Sequence, residues 1–333
     1  MRSKKNVETV KLKEGEILEK TFDNYADMAI SAVDWTIFCT YQLRPDFTEG
    51  IHKILRLPSM QIAYTHMEGG VMFDYVAPEE SITFSLMKRI SQKACIDQMK
   101  LETGMIVITD DKKIYNFSCS AEVELLDISL NKDADPLLTE KLAKVTDHFY
   151  LDSGQRITEM IMNIVDEYSY EESIDTNISS EIEERITEEI LHLLDIQKAQ
   201  IPHFTPSEKT ALEIKQRIFK HMDHRISIET LASEHGISIK SLQNAFHSLY
   251  GLTPNQFSRL LKLNLVHHEL MQANPRQISV SRVAQKWGFG HMGRFAKYYM
   301  ELFGENPSAT LKSTDLTADG MKEHCVERQE EIS

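Results

Sequence analysis

The sequence is poor in cysteine and lacks long apolar runs. Its four cysteines, Cys39, Cys95, Cys119 and Cys325, are scattered over 333 residues and form no Cys-x-x-Cys pair. We therefore expect reduced, buried thiols and neither a disulfide framework nor a cysteine metal site. No apolar run approaches the length of a membrane span, and no apolar stretch follows the basic residues of the N-terminus. The expected protein is soluble and cytoplasmic, with no signal peptide and no membrane partner.

Residues that could form a metal or catalytic centre are also sparse. His52 and His66 are isolated from each other, and no pair of histidines in residues 50–120 has the spacing of a metal site. No pairing of a nucleophile with a base stands out. The sequence thus predicts no metal, no cofactor and no catalytic residues.

The last third of the sequence contains one local pattern twice. The first copy comprises Leu231-Ala232, Gly236, Leu242, Phe246, Gly251 and Pro254, and the second comprises Val283-Ala284, Gly288, Phe295, Tyr299, Gly304 and Pro307. The copies lie about fifty residues apart, a period typical of a duplicated supersecondary unit. In each copy a small Ala lets two helices approach, a Gly ends the first helix, and apolar residues at i and i+4 mark the buried face of the second. The pattern predicts two helix-turn-helix units.

Charge is distributed unevenly along the chain. Residues 205–312 contain 14 Lys and Arg against 8 Asp and Glu, whereas residues 1–204 contain 21 against 37 and residues 313–333 contain 2 against 6. A basic module attached to an acidic body is typical of nucleic-acid binding confined to the basic part. Chance asymmetry is the alternative, and the repeat in the same segment favours nucleic-acid binding.

The pattern of apolar residues divides the chain into segments. Residues 1–150 contain many short β-branched and aromatic runs separated by turn residues, which predicts a β-sandwich or small barrel led by a helix within Asp23–Thr36. Residues 151–199 have helical periodicity, residues 200–207 form a linker, residues 208–312 form an all-α domain, and residues 313–333 form a disordered acidic tail. The expected fold class is α+β, with an N-terminal β domain and flanking helices followed by an all-α domain.

An apolar stripe in residues 151–199 has two interpretations. Ile182, Ile186, Ile190 and Leu194 recur at helical spacing, on a helix whose first turns are rich in Glu. The stripe either packs on the β domain of its own chain or forms the contact face of a homodimer. In the second case residues 151–199 are a dimerisation segment as well as a connector.

The C-terminal part, from about Ser207 to Lys312, resembles the DNA-binding domain of the AraC/XylS family of bacterial transcription regulators. The most specific portion is the run Ile278–Phe289, followed by Phe295, Lys297, Phe303-Gly304 and Pro307, and the first half matches in Ser241-Leu242-Gln243, Phe246 and Gly251-Leu252-Thr253-Pro254. Residues 242–247 and the turn Trp287-Gly288-Phe289 are similar to the ethanolamine-utilisation regulator subgroup. Asn244 and Gly293 depart from the family pattern, which more often has Arg and a polar side chain at these positions.

This resemblance implies a helix from about Pro254 to Gln272 that links two helix-turn-helix units. Such a pair reaches successive major grooves, about 34 Å apart. The resemblance also implies an N-terminal cupin-like β-barrel that binds a small-molecule effector and dimerises. The partners it implies are double-stranded promoter DNA and RNA polymerase. The function it implies is that of a sequence-specific transcription regulator and, more specifically, an effector-responsive activator.

The two recognition helices supply the candidate base contacts. They are expected from Ser238, as the N-cap, to Tyr250 and from His291 to Phe303. Gln and Asn can bond to adenine edges in the major groove, and Lys and Arg can bond to guanine. The candidate base-contacting residues are Lys240, Gln243, Asn244, His247, His291, Met292, Arg294 and Lys297. Trp287 is expected in the hydrophobic core.

Other candidate residues are less specific. The basic residues Arg217, Lys220, Lys262, Arg282 and Lys286 either contact phosphates or are solvated charges. The aromatic residues Tyr64, Phe73, Tyr75 and Phe84 either line an effector pocket or form plain core. Two other functions stay open: a cupin-type enzyme fused to a DNA-binding module, and a dimeric DNA binder that needs no ligand.

Overall fold

The computed structural model describes residues 11–45, 49–97, 99–142, 148–150, 154–168, 171–196, 204–222 and 227–313. The predicted acidic tail beyond residue 313, and residues 200–203 of the predicted linker, lie outside this part of the chain. The first half folds into β1 (Ile17–Phe22), α1 (Tyr25–Ser31), β2 (Thr36–Gln42), β3 (Gly50–Arg56), β4 (Met60–Met67), β5 (Val71–Val76), β6 (Ser81–Ile90), β7 (Ala94–Ile96), β8 (Met99–Leu101), β9 (Met105–Asp110), β10 (Tyr115–Cys119), β11 (Val123–Asn131), α2 (Pro136–Leu142) and β12 (His148–Tyr150).

Helix α1 is shorter than the helix expected within residues 23–36. Asn24 caps its start by accepting a hydrogen bond from the backbone N–H of Asp27. The backbone is extended at Ala32, and Asp34 has a positive φ of 64°. These two conformations end the helix at Ser31 and turn the chain into β2.

The strands form two antiparallel sheets that face each other. One sheet has the order β1-β3-β4-β11-β6-β9-β12, and the other has the order β2-β5-β10-β7-β8. The predicted β-rich N-terminal domain is confirmed. The closed cupin-like barrel is not, because each sheet has two edge strands that pair on one side only in the described part of the chain.

Successive side chains along each strand point to opposite faces of the seven-stranded sheet, and these two faces have different surroundings. On β11, Leu126 points to the outer face and lies between Tyr64 of β4 and Leu86 of β6. Its neighbours Leu125 and Asp127 point inwards, towards the second sheet. A register slip of one residue would exchange these two sets, so the buried outer face specifies the register.

Helices α3 (Gly154–Glu167) and α4 (Thr176–Ile196) cover the outer face. The α4 stripe of Ile182, Ile186, Ile190 and Leu194 is at most 5% exposed and packs in the same cluster as Leu126. Packing on the chain's own β domain is therefore confirmed. The expectation of a dimer face on this stripe is corrected, because its side chains are already covered within one chain.

The second half is the expected helical domain. Its helices are α5 (Pro206–Lys220), α6 (Ile228–Glu234), α7 (Ile239–Tyr250), α8 (Pro254–Gln272), α9 (Val280–Lys286), α10 (Met292–Phe303) and α11 (Pro307–Ser313). Thr205 and Glu208 form a reciprocal capping box at the start of α5, with Pro206 in its first turn. Pro206 and Ser207, which the sequence interpretation placed in the linker, therefore begin this domain.

The two domains share one hydrophobic core. Tyr41, Met72 and Cys95 of the five-stranded sheet lie in the same buried cluster as Phe246 and Leu261 of the helical domain. An ion pair of 2.6 Å between Lys100 Nζ and Glu208 Oε1 flanks this core. Burial raises the pKa of the Cys95 and Cys119 thiols to about 12, in agreement with the reduced, buried thiols expected for these two residues.

A polar contact joins the edge strand β2 to the centre of α8. The Gln42 N–H donates to Asn264 Oδ1 at 2.7 Å, and Asn264 Nδ2 donates to the Gln42 carbonyl oxygen at 2.8 Å. The Gln42 side chain adds a hydrogen bond from Nε2 to the carbonyl oxygen of Leu302, at 2.8 Å. A side-chain amide thus takes the place of a neighbouring strand and satisfies the backbone of this edge.

Candidate nucleic-acid interface

The first helix-turn-helix unit consists of α6 and α7. Ser227 and Ser238 cap these helices by accepting hydrogen bonds from the backbone N–H groups of Thr230 and Ser241. Gly236 has a φ of 64°, a left-handed conformation in which a Cβ is strained. The Ile237 N–H donates back to the Ala232 carbonyl oxygen at 3.0 Å. The predicted N-cap at Ser238 is confirmed, and the turn leads directly into α7.

The second unit, α9 and α10, repeats this geometry. Gly288 has a φ of 86°, and the Phe289 N–H donates to the Ala284 carbonyl oxygen at 2.9 Å. Ser279 caps α9, but His291 at the start of α10 makes no side-chain capping hydrogen bond. The repeat in the sequence is therefore a repeat in structure, with one difference at the start of the second recognition helix.

The buried faces of both recognition helices pack around α8, which has the predicted bounds. Phe246 of α7 and Phe295 of α10 are at most 1% exposed. Trp287 is buried, as predicted, and its Nε1 donates to Glu269 Oε2 at 2.8 Å. Each helix is therefore fixed by one apolar side and leaves the opposite side to solvent.

On α7 the exposed side carries the four predicted base-contacting residues. Lys240, Gln243, Asn244 and His247 are all exposed, and they alternate in sequence with the buried residues of the helix. Within the described residues, none of these four side chains is restrained by a salt bridge or a side-chain hydrogen bond. This side offers amide, imidazole and ammonium groups to a partner.

On α10 the exposed side is narrower. His291, Arg294 and Lys297 are exposed, and Lys297 Nζ lies 3.7 Å from Glu301 Oε1 one turn further on. Met292 is half-buried and packs against the core. Gly293 faces open space but has no side chain. The structure therefore places three of the four predicted residues of this helix on its free side.

The predicted phosphate-contacting residues lie in different environments. Lys220 and Arg282 are exposed. Arg217 Nη2 lies 3.3 Å from Glu234 Oε2, and Lys286 Nζ lies 2.8 Å from Glu269 Oε2. Lys262 is half-buried on α8, and its Nζ lies beside the turn glycine Gly288. Arg217 and Lys286 are thus held by carboxylates, and Lys262 lies next to the second turn.

Two residues that matter for this geometry were missed by the sequence interpretation. Glu269 accepts hydrogen bonds from both Lys286 and Trp287 and so ties α9 to α8. Asn264 ties α8 to the β domain. A signal for Asn264 does exist, because it is a polar residue between the apolar Leu263 and Leu265.

The predicted effector-pocket residues fall into two groups. Phe73 and Tyr75 line a cavity of about 70 Å³ between the two sheets. Tyr64 and Phe84 lie on the outer face of the seven-stranded sheet, in the core under α3 and α4. Because neighbouring side chains on a strand point to opposite faces, an aromatic pattern alone does not assign the face. The structure adds Trp35, Phe117 and Asp127, among others, to the lining.

Neither a membrane-spanning helix nor a metal-binding cluster occurs in the described residues. No helix there is both long and apolar enough to cross a membrane. In the same residues, no group of three or more His, Cys, Asp and Glu side chains is arranged to hold a metal ion.

Comparison with known proteins identifies the C-terminal domain. Residues 231–313 match the helix-turn-helix domain family, so this part of the chain is a helix-turn-helix domain. The chain is 33% identical over 93 residues to a probable thc operon regulatory protein of Rhodococcus erythropolis, a match covering 28% of each chain. It is 35% identical over 109 residues to XylDLEGF operon transcriptional activator 1 of Pseudomonas putida, a match covering 33% of each. The chain thus spans about a third of the length of these curated relatives.

A solved structure is similar in sequence to the same part of the chain. The chain is 30% identical to a probable AraC family transcriptional regulator from Rhodopseudomonas palustris CGA009, with a TM-score of 0.30 and a match covering 32% of this chain and 97% of that one. In this region the chain is therefore similar to known transcription regulators. These comparisons do not confirm the ethanolamine-utilisation regulator subgroup.

Proposed function

We propose that the whole chain is a sequence-specific, DNA-binding transcription regulator and not an enzyme. The observation that carries the proposal is the pair of helices α7 and α10, each with an exposed polar side and a buried side fixed around α8. A recognition helix needs this arrangement, because its free side enters the major groove while its buried side sets its orientation. The similarity to operon regulators supports the same function.

The two helices are proposed to contribute unequally to base readout. Gln243 and Asn244 of α7 present amides that can bond bidentately to adenine, and Lys240 can reach guanine acceptors. On α10, Met292 packs inwards and Gly293 has no side chain, so Arg294 is the principal candidate. We therefore assign most base discrimination to α7 and a larger share of phosphate contacts to the second unit, with Arg282 and Lys286.

The β domain is proposed to sense a small-molecule effector. Its edge strand β2 contacts α8, and α8 supports both recognition helices. A ligand that displaces β2 would change this support for both units together. As in the relative named as a transcriptional activator, we propose activation, through contact with RNA polymerase at a promoter. A homodimer would place further helix-turn-helix units on neighbouring half-sites, through a surface other than the α4 stripe.

Binding-site selection tests this function. The full chain is used to select sites from a random duplex pool, and its affinity for the selected site is then compared with that for a scrambled duplex over a series of salt concentrations. The selected site should bind at least about 10³-fold more tightly. Affinity for both duplexes should fall as salt rises, because phosphate contacts release counterions. Equal affinity for the two duplexes at every salt concentration would contradict the proposal.

A further inference from the structure

The cavity between the two sheets contains one carboxylate in mostly apolar surroundings. Asp127 lies on the inner face of β11, and part of its surface faces the cavity. Its Oδ1 accepts a hydrogen bond of 2.5 Å from Ser85 Oγ. The other polar residues of the lining are His52, Thr65 and Ser85, apart from the Tyr75 hydroxyl and the Trp35 indole.

No positive charge faces this carboxylate within the lining. The lining contains no Lys and no Arg. Burial lowers the pKa of His52 to about 4, so its imidazole is neutral at pH 7. Burial also raises the pKa of Asp127 to about 7. An ionised carboxylate without a counter-charge in such a place is costly, and a cation brought by a ligand would offset that cost.

Aromatic rings form the wall beside Asp127. The ring centroids of Trp35 and Tyr75 lie 5.4 Å apart, and those of Phe73 and Phe117 lie 5.2 Å apart. The faces of such rings attract cations, most strongly when the cation has lost its water. The carboxylate and the rings therefore both favour a positively charged ligand.

We propose that this cavity binds a small organic cation, a primary or quaternary ammonium with a compact apolar body, whose charge pairs with Asp127. An anion would bring a second negative charge beside the carboxylate, and a polyol would find too few polar partners on the walls. The cavity volume of about 70 Å³ leaves room for a small ligand. The inference rests on the proposed sensing function and names the chemical class of effector.

A matched series of probes tests the proposal on the full chain without DNA. Cyclohexylammonium and tetramethylammonium are compared with cyclohexanol and cyclohexanecarboxylate, by calorimetric titration and by the fluorescence of Trp35, which lines the cavity. At least one ammonium probe should bind at least tenfold more tightly than the alcohol and the carboxylate. Equal or tighter binding of the alcohol or the carboxylate overturns the proposal, and so does the absence of binding by both ammonium probes at millimolar concentration.

Variants separate the carboxylate from the rest of the cavity. Asp127→Asn, which keeps the shape of the side chain, should weaken ammonium binding at least tenfold, while the exposed Asp133→Asn should leave it unchanged. Unaltered binding to Asp127→Asn overturns the assignment. Because these titrations contain no DNA, their failure leaves the DNA-binding proposal intact, and a failure of site selection leaves these titrations valid.

The pH dependence of wild-type binding gives a readout that needs no variant. Ammonium binding requires the ionised carboxylate, so affinity should rise about tenfold from pH 6 to pH 8 and then level off. The other titratable groups that face Asp127 are His52 from β3 and Tyr75 from β5. Burial holds the pKa of His52 near 4 and that of Tyr75 well above 10, so neither titrates in this range. Affinity that is constant from pH 6 to pH 8 overturns the pairing with Asp127.

Discussion

At the residue scale, two partly buried carboxylates have opposite surroundings. Glu269 accepts hydrogen bonds from Lys286 and from Trp287 and so stabilises the contact of α9 with α8. The Asp127 side chain has one hydrogen bond, from Ser85, and no ion pair in the described part of the chain. The first contributes to stability as it stands, whereas the second imposes a cost whenever it ionises.

That cost predicts how stability depends on pH. The folded-state pKa of Asp127 is raised to about 7 from a reference value of 3.8. Between these values the folded state holds a proton that the unfolded state has lost, so the contribution of Asp127 to the free energy of unfolding falls as pH rises, and the loss is complete above pH 7. The free energy of unfolding of Asp127→Asn, measured relative to that of wild type, should therefore increase as pH rises from about 4 to about 7. The increase should be at most about 4 kcal/mol.

Urea unfolding of both proteins at several pH values measures this difference. The pKa values of His267 and His268 are lowered by burial, so these residues also reduce the free energy of unfolding at low pH. They are present in both proteins, and their effects cancel in the difference. Asp133→Asn serves as the control. A difference between Asp127→Asn and wild type that does not change with pH would show that Asp127 titrates as it does in the unfolded chain.

At the element scale, the two helix-turn-helix units depend on their turns. Gly288 holds a left-handed conformation, whereas Gly293 lies inside α10 and faces open space. Gly288→Ala should therefore destabilise the protein by about 1–2 kcal/mol, from left-handed strain. Gly293→Ala should stabilise it by about 0.5–1 kcal/mol, because Ala loses less backbone entropy in a helix. Chemical denaturation of the two variants compares them, and effects of the same sign would contradict the assignment of the turn.

The exposed side of α7 gives a prediction for base readout. Gln243→Ala should cost about 1–3 kcal/mol in binding to the selected site and relax discrimination at one base pair. The control is Gln272→Ala, at the exposed end of α8, which should leave both affinity and discrimination unchanged. Competition titrations against single-base variants of the site measure both. An equal loss on selected and scrambled duplexes would place Gln243 on phosphate and not on a base.

Elements were predictable where the sequence contains local start and stop signals. The caps Ser238 and Thr253, the turn glycines and Pro254 set the bounds of α7 and α8, and the duplication supported each assignment with a second copy. The β domain was predictable as strands but not as open sheets, because closure depends on which distant strands pair. Tyr64 and Phe73 show the same limit, since alternation separates two faces without saying which one lines the cavity.

At the scale of the whole molecule, the packing of the two domains against each other was not predictable. The hydrogen bond between Gln42 and Asn264 joins residues 222 positions apart, and no local pattern encodes such a contact. The fate of the α4 stripe depended in the same way on a tertiary partner, the outer face of the seven-stranded sheet. Amphipathicity shows that a helix is covered on one side, but not which surface covers it.

Asn264→Leu tests how much the contact between the two domains contributes to the free energy of unfolding. The substitution keeps the approximate size of the side chain but leaves the N–H and carbonyl groups of Gln42 without their partners. The free energy of unfolding should fall by about 1–3 kcal/mol. Asn255→Leu, at an exposed position near the start of α8, is the control and should change stability by less than about 0.5 kcal/mol. Urea denaturation measures both, and equal effects would show that the contact contributes nothing to stability.

The exchange rate of the Gln42 amide proton also reports separation of the two domains. This proton is bonded across the domain boundary, to Asn264 Oδ1, so solvent reaches it when α8 moves away from β2 and does not need the sheet to unfold. Amides inside the central strand β11 exchange only after the sheet itself opens. If promoter DNA or an effector separates the domains, deuterium exchange at Gln42 should accelerate while exchange in β11 stays slow. Unchanged exchange at Gln42 in every ligand state would mean that the two domains move as one body.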